Sequence, residues 1–296
     1  MVVDEVMTAK EIIKVCCEEF LKNCGLSEDN IRKLNFRNLL LSAYRIVFRL
    51  IPVMKYKVYT SKELEEQLEE LSRNDKEGVK LVIKEFSEGK DVNYRLSKQV
   101  WHPNPYYTDH LLAEWNIYHL HLGLEREENS FFAKRTRNLI YVLINRGSAF
   151  FIKCLPHEFE KLELIEIIEN NWPHLLEPRK LPEEVIALSY EPSEEAIRCA
   201  RRKKVASGVR ANLNLTVRGR KGFYVPYLGV ASDGTPVAVS LSVLDTVKVV
   251  EEMEKQELKF QKAEFAFLTG IYRYGLLLYP EGSKRPVAIP FRFPLP

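Results

Sequence analysis

The chain has 296 residues, 46% of them hydrophobic, which is enough for one or two packed domains and excludes a disordered protein. No run of about 18 apolar residues occurs, and the N-terminus lacks the basic start and apolar core of a signal peptide, so we expect a cytoplasmic protein that does not bind membranes. The five cysteines form neither a disulfide framework nor a Cys-x-x-Cys pattern, and the net charge of +3 hides strongly uneven segments.

Residues 1–100 are predicted to form a mainly helical region. Thr8 precedes Glu11 by three positions, as in a capping box, and apolar residues then recur at helical spacing. A second helical stripe follows and stops at Pro52, which predicts an antiparallel helix pair. Alternating apolar and polar residues at 54–59 indicate a short strand, and two further helices complete the region.

Residues 101–176 are predicted to form a β-meander that packs with the first region and contains the candidate active site. Asp109 can cap a brief helix, and the alternating segment 115–123 then reads as a strand that ends at a glycine. Near-continuous apolar runs at 139–144 and 149–155, joined by a glycine-containing turn, predict a hairpin buried on both faces. A covering helix follows the meander.

The last third of the chain is predicted to be a separate basic domain. Prolines concentrate in 177–192, which we interpret as an interdomain connection, and residues 193–296 follow it as an α+β domain. Its predicted elements include strands near 209–217, 222–231 and 236–243 and a helix near 244–262. The predicted fold class is therefore α+β, with an N-terminal helical region, a central antiparallel β-meander with covering helices, and a C-terminal mixed α/β subdomain.

The histidines give the strongest indication of function. All six occur between His102 and His174, and His119 and His121 are two residues apart on the predicted strand, so their side chains share a face. The segment 129–157 contains no Asp or Glu but several Lys and Arg residues. A site at this place would favour an anion.

These residue types suit cleavage of RNA without a metal. One histidine can take the proton of a ribose 2′-hydroxyl at neutral pH, and a second can donate to the leaving oxygen, which predicts His119 and His121 as an acid/base pair. Arg135 and Arg137 are predicted to hold the phosphate, and His157 can complete the same surface. We expect these groups to meet in one open pocket without negative side chains, in an endoribonuclease that needs no cofactor.

A second acid-free tract, between residues 196 and 232, is strongly basic. It predicts a surface that binds the phosphate backbone of a nucleic acid, RNA rather than DNA. Its predicted binding residues are Arg198, Arg201, Arg202, Lys203, Lys204, Arg210, Arg218, Arg220 and Lys221.

Other functions stay open at this stage. The protein could be a non-catalytic module that binds nucleic acid or a ribonucleoprotein, in which the histidines are incidental. It could also be a nuclease or phosphoesterase that uses a divalent metal held by Asp109, His119 and His121. The chain contains no G-x-G-x-x-G, P-loop, G-x-S-x-G or H-E-x-x-H motif, so the enzyme classes that depend on these motifs are not indicated.

Overall fold

The computed structural model describes residues 6–157, 162–181, 217–218, 223–225, 229–231 and 233–293. The α-helices are α1 (Ala9–Asn23), α2 (Glu28–Arg32), α3 (Phe36–Arg49), α4 (Lys62–Gln67), α5 (Arg73–Glu88), α6 (His110–Trp115), α7 (Leu162–Asn171) and α8 (Val237–Lys255). The strands are β1 (Met7–Thr8), β2 (Lys57–Thr60), β3 (Ile117–His121), β4 (Asn138–Asn145), β5 (Ser148–Pro156), β6 (Val217–Arg218), β7 (Phe223–Tyr224), β8 (Lys259–Leu268), β9 (Arg273–Pro280) and β10 (Val287–Pro290). Short 3-10 helices occupy Asn93–Arg95, Lys98–Trp101, Pro105–Tyr107, Pro173–Leu175 and Glu177–Arg179.

The predicted α+β class is confirmed, since helices and largely antiparallel sheets both make up the fold. Two compact units can be distinguished. Unit 1 comprises Met1–Leu50, Gln99–Thr108 and Thr235–Pro296, and unit 2 comprises Ile51–Lys98 and Asp109–Gly234. These units do not follow the predicted boundaries at 100 and 177–192, because each is built from segments that are distant in sequence. Among the described helices, none is both long and apolar enough to cross a membrane.

Unit 1 packs helices α1, α3 and α8 against an antiparallel sheet with the strand order β1-β8-β9-β10. The predicted capping box is present, because the backbone N–H of Thr8 donates to Glu11 and the N–H of Glu11 donates to the Thr8 hydroxyl. The hydroxyls of Tyr44 and Thr246 lie 2.9 Å apart in the buried interface between α3 and α8. The predicted pairing of the first two long helices is confirmed.

The predicted strand at 236–243 is wrong, because this segment begins helix α8. Its bulky apolar residues, Val237, Val239, Leu241 and Val243, occupy every second position and therefore fit a strand, but its buried positions also recur every three to four residues. The Ser242 hydroxyl donates to the carbonyl of Ala238 and the Thr246 hydroxyl to that of Ser242, so the small polar residues bond within the helix. The polar positions are thereby satisfied on the buried face.

Unit 2 contains a four-stranded sheet with the order β2-β5-β4-β3, in which β2 runs parallel to β5 and the other pairs are antiparallel. The predicted hairpin is confirmed as β4 and β5. Its two-residue turn has positive φ at both Arg146 and Gly147, as a type I′ turn requires. The predicted short strand near 54–59 lies at 57–60 and forms the sheet edge next to β5.

One face of this sheet is covered by α7 and carries a buried hydrophobic cluster. Ile117 of β3 and Leu139, Tyr141 and Leu143 of β4 point to this face and pack with apolar residues of α7. The other face includes Phe151, whose ring lies 5.3 Å from that of Phe86 in α5. The strands are buried on both faces, as their continuous apolar sequence predicts.

Strand β5 is longer than its parallel neighbour. The pairing of β2 ends at Thr60, opposite Phe151. Beyond that point, the side-chain amide of Gln67 donates to the carbonyl of Cys154 at 2.7 Å, and the N–H of Cys154 donates to the Gln67 carbonyl oxygen at 3.0 Å. A single side chain therefore replaces the missing strand at this part of the edge.

The described start of the predicted connection is packed against unit 2. Arg179 is buried, and its guanidinium carbon lies 5.2 Å from the ring centre of Trp115. The N–H of Val225 donates to the carbonyl of Arg179, and the hydroxyl of Tyr224 donates to Glu169 of α7 at 2.7 Å. Residues 182–192 lie outside the described residues.

Candidate functional site

The predicted histidine strand is β3, and its two histidines share a face as expected. His119 pairs with Tyr141 and His121 with Leu139 of the neighbouring strand β4, so both imidazoles point to the face that α7 covers. Both are buried, with 8% of His119 and 5% of His121 exposed. The expected open pocket is therefore wrong for these two rings, because their strand face is the core face of the sheet.

A carboxylate lies beside the first histidine. Asp109 is the N-cap of α6, where its Oδ1 accepts the N–H of Leu112 at 3.0 Å, as the sequence predicts. Its Oδ2 lies 3.1 Å from Nδ1 of His119. The expectation that the site lacks negative side chains is wrong, because Asp109 precedes the acid-free segment in the chain and reaches the site through the fold.

Burial raises the pKa of Asp109, but the charge and the hydrogen bond of His119, together with the N–H of Leu112, outweigh this effect, so the pKa is lowered. The carboxyl is therefore ionised at neutral pH. An ionised carboxylate therefore lies 3.1 Å from Nδ1 of the buried His119 ring.

His121 has a different environment from His119. Its Nδ1 accepts the backbone N–H of Thr136 at 3.3 Å, so the proton of the neutral ring is on Nε2. Burial, followed by the charges of His119 and Arg135, lowers the pKa of His121 to about 4. His121 is therefore neutral at pH 7 and cannot serve as a proton donor of ordinary strength.

His157 directly follows β5 and is exposed to solvent. Its ring centre lies 5.6 Å from that of His119, and the two ring planes are nearly perpendicular at 84°. Partial burial, followed by the charges of His119 and Arg135, lowers the pKa of His157. The end of β5 therefore brings a third imidazole to the site, as the sequence predicted.

The two predicted phosphate-binding arginines differ in position. Both Arg135 and Arg137 are exposed and precede β4. The charge of Arg135 acts on both His121 and His157, which places its guanidinium near the histidines. Within the described ranges, no contact joins Arg137 to a histidine. A bend at residue 137 separates Arg135 from the start of β4, and the pairing of the two arginines stays a prediction.

The remaining predicted residues do not join this cluster. His110 pairs with Glu114 of its own helix at 3.3 Å, His174 is exposed on a 3-10 helix, and His102 belongs to unit 1. Of the predicted binding residues in the basic tract, Arg218 alone is among the described residues, as part of the backbone of β6. The other predicted binding residues lie outside the described residues: Arg198, Arg201, Arg202, Lys203, Lys204, Arg210, Arg220 and Lys221.

The geometry does not assemble the alternative metal site. Over the part of the chain that the structure describes, no three His, Cys, Asp or Glu side chains come together as a group that could hold a metal ion. Asp109 and His119 pair with each other, and Nδ1 of His121 already accepts a backbone N–H. The set Asp109, His119 and His121 is thus not arranged as metal ligands.

A second buried charge pair lies beside the C-terminal end of β3, and the sequence did not indicate it. Arg95 is completely buried and forms a two-point ion pair with Glu85, with distances of 2.6 and 3.1 Å. Its remaining Nη1 donates to the carbonyls of His121 and Gly123, each at 3.1 Å. This pair fixes the backbone directly after the histidine strand.

No protein-family model matches this chain, and neither a curated protein nor a solved structure is significantly similar to it. Its function is therefore argued from the geometry of the site.

Proposed function

We propose that this protein cleaves RNA phosphodiesters without an essential metal, with His157 as the base, His119 as the acid and Arg135 as the phosphate-binding group. The observation that carries the proposal is the 3.1 Å pair between Asp109 and His119, with the His157 ring 5.6 Å from the His119 ring. Two imidazoles of unlike environment at such a distance suit a concerted transfer of two protons.

The environments of the two rings assign their roles. His157 is exposed and has a lowered pKa, so it is neutral at pH 7 and can take the proton of the 2′-hydroxyl. His119 has the Asp109 carboxylate 3.1 Å from its Nδ1, so we assign the other ring nitrogen, Nε2, as the atom that donates the proton. The 2′-oxygen bonds to phosphorus, the bond to the 5′-oxygen breaks, and that oxygen receives the His119 proton. The products are a 2′,3′-cyclic phosphate and a 5′-hydroxyl.

Arg135 and His121 support this reaction in different ways. The guanidinium of Arg135 can hold two phosphate oxygens at once and balance the charge that develops on them. His121 is neutral, and it holds the N–H of Thr136, the residue that follows Arg135. We assign His121 as a positioning residue, in place of the acid/base role that its spacing predicted.

The test uses a fluorescently labelled RNA oligonucleotide with the purified full-length protein in excess EDTA. We expect cleavage to products that end in a 2′,3′-cyclic phosphate, and no cleavage of the same sequence in all-deoxy form. His119→Ala should lower the rate about 10²–10⁴-fold, as loss of a general acid does. His174→Ala, which removes an exposed histidine of the same unit, is the matched control and should leave the rate unchanged.

Three outcomes would overturn the proposal, and each indicates a different function or different catalytic residues. Binding of RNA without any cleavage supports the non-catalytic module. Activity that is lost in EDTA and restored by a divalent metal supports the metal-dependent alternative. Equal rates for His119→Ala and the wild type place the reaction at other residues.

A further inference from the structure

An alternating column of guanidinium groups and aromatic rings extends from the buried Glu85–Arg95 pair to the surface of unit 2. The Arg95 guanidinium lies 4.8 Å from the ring centre of Tyr94, and that of Arg126 lies 4.7 Å from the same ring. Arg126 also lies 5.4 Å from the ring centre of Phe131. Each distance is within the range of a cation–π contact.

The base of this column is rigid. The Tyr94 hydroxyl donates to Glu85 at 2.5 Å, and the same carboxylate binds the buried Arg95. The outer end is held by a short antiparallel ladder, in which Arg126 lies opposite Ala133 and the N–H of Glu127 donates to the carbonyl of Phe132 at 2.8 Å. The outer ring therefore loses little conformational entropy when another group stacks on it.

The outer end of the column is solvent-exposed aromatic surface. Phe131 is 38% exposed, although most phenylalanines of this chain are buried. Its segment, residues 122–134, connects His121 to Arg135, two residues of the candidate site. Phe131 precedes Thr136 by five positions, so it lies at most roughly 16 Å along the chain from the residue that His121 binds, at about 3.3 Å per residue.

We infer that Phe131 and Arg126 form a stacking site for an unpaired base that flanks the cleaved phosphate, so that the substrate is single-stranded RNA. This inference rests on the function proposed above. Aromatic rings and arginine planes are the groups on which proteins stack splayed RNA bases. A base that stacks on Phe131 would extend the existing column by one more ring.

The charges around the column allow a polyanion to approach. Two of its neighbouring glutamates are paired: Glu125 with Lys134 at 2.6 Å, and Glu127 with Lys98. Arg135, at the end of the same segment, adds positive charge towards the histidines. The strand would therefore pass from the Phe131 ring to the phosphate-binding group.

The experiment measures binding apart from cleavage. The full-length protein is titrated against a fluorescent single-stranded RNA whose riboses are all 2′-O-methyl, which removes the attacking hydroxyl. We expect Phe131→Ala to weaken binding about 5- to 150-fold, the range for loss of one base stack. Leu124→Ala, at an exposed apolar residue of the same segment, is the matched control and should change binding less than twofold. Phe131→Trp should bind at least as tightly as the wild type.

An abasic series locates the base. Removing one base at a time should weaken binding to the wild type at one position next to the cleavage site and should have no further effect at that position in Phe131→Ala. Wild-type binding by Phe131→Ala, or equal weakening by Leu124→Ala, would overturn the inference. If binding depends on Phe131 but the unmodified RNA stays intact, the stacking site stands and the proposed cleavage fails.

Discussion

Two buried pairs of oppositely charged side chains in the described part of unit 2, Glu85–Arg95 and Asp109–His119, differ in the chemistry of their basic partner. The cation of the first, Arg95, keeps its charge at every physiological pH, and its Nε, Nη1 and Nη2 all donate to protein atoms. The second pair contains an imidazole, His119, whose ring lies 5.6 Å from that of another imidazole, His157. A guanidinium whose three nitrogens all donate to protein atoms stabilises structure, whereas an imidazole is a side chain that can take part in acid/base chemistry.

The neighbours of the two pairs extend this difference. Glu85 and Arg95 are closed in by the backbone carbonyls of His121 and Gly123. Asp109 and His119 are buried too, but the His119 ring lies 5.6 Å from that of His157, which is exposed. Burial by itself therefore does not separate a structural ion pair from a candidate active site. The type of cationic side chain, guanidinium or imidazole, and the groups around it do distinguish the two pairs.

Loss of the Arg95 charge should have the largest effect on stability. Arg95→Met leaves the buried Glu85 carboxylate without its cation and takes the Nη1 donor from two backbone carbonyls, so the free energy of unfolding should fall by about 3–5 kcal/mol. Urea denaturation measures this change. Arg73→Met, which breaks the exposed pair with Glu77, is the control and should cost less than about 0.5 kcal/mol. Similar losses of unfolding free energy in the two variants would show that the buried pair contributes no more to stability than the exposed pair.

Acidification should destabilise the fold through His121. Its pKa is about 4 in the folded protein and about 6.5 in the unfolded chain, so the unfolded state binds more protons between these values. The free energy of unfolding should therefore fall as the pH drops from 6.5 to 4, by up to about 3 kcal/mol. In His121→Asn, whose side-chain carbonyl can still accept the Thr136 N–H, this slope should flatten. Parallel pH profiles of the unfolding midpoint in the two proteins would contradict this assignment.

Asp109→Asn should remove the charge interaction between residue 109 and His119. In Asp109→Asn the helix cap is kept, since asparagine caps as well as aspartate, but the negative charge at Nδ1 of His119 is lost. We expect kcat for RNA cleavage to fall about 10²-fold, with KM nearly unchanged because the phosphate is held elsewhere. The unfolding free energy should change less than in Arg95→Met. A variant with wild-type kcat would mean that the carboxylate only caps its helix.

The sequence predicted those parts of unit 2 that depend on local rules. The alternation of side chains along a strand correctly predicted that His119 and His121 share a face. The turn residues Arg146 and Gly147 set the register of the neighbouring hairpin. In unit 1, the strand predicted at 236–243 failed because its apolar residues fit both a strand and a helix period, and packing against α1 and α3 selects the helix.

The burial of the site could not be predicted in the same way. Asp109 approaches His119 through the fold, whereas the sequence placed the two together only as ligands of the alternative metal site. A strand that alternates apolar and polar residues normally turns its polar face to water, but here the histidines occupy the core face. Two features of the sequence together could have indicated the Asp109–His119 pair. They are the histidines at alternate positions of a buried strand and the aspartate that caps the preceding helix.

The two hydrogen bonds between Gln67 and Cys154 have a consequence for how this sheet can end. An unpaired strand edge is a template on which another chain can add a strand and begin to aggregate. The Gln67 side chain hydrogen-bonds to this part of the edge. Strand β5 can therefore extend past β2 and place His157 in solvent without leaving the backbone of Cys154 available to another strand. Gln67 thereby satisfies the backbone of Cys154 on the side of β5 that faces away from β4.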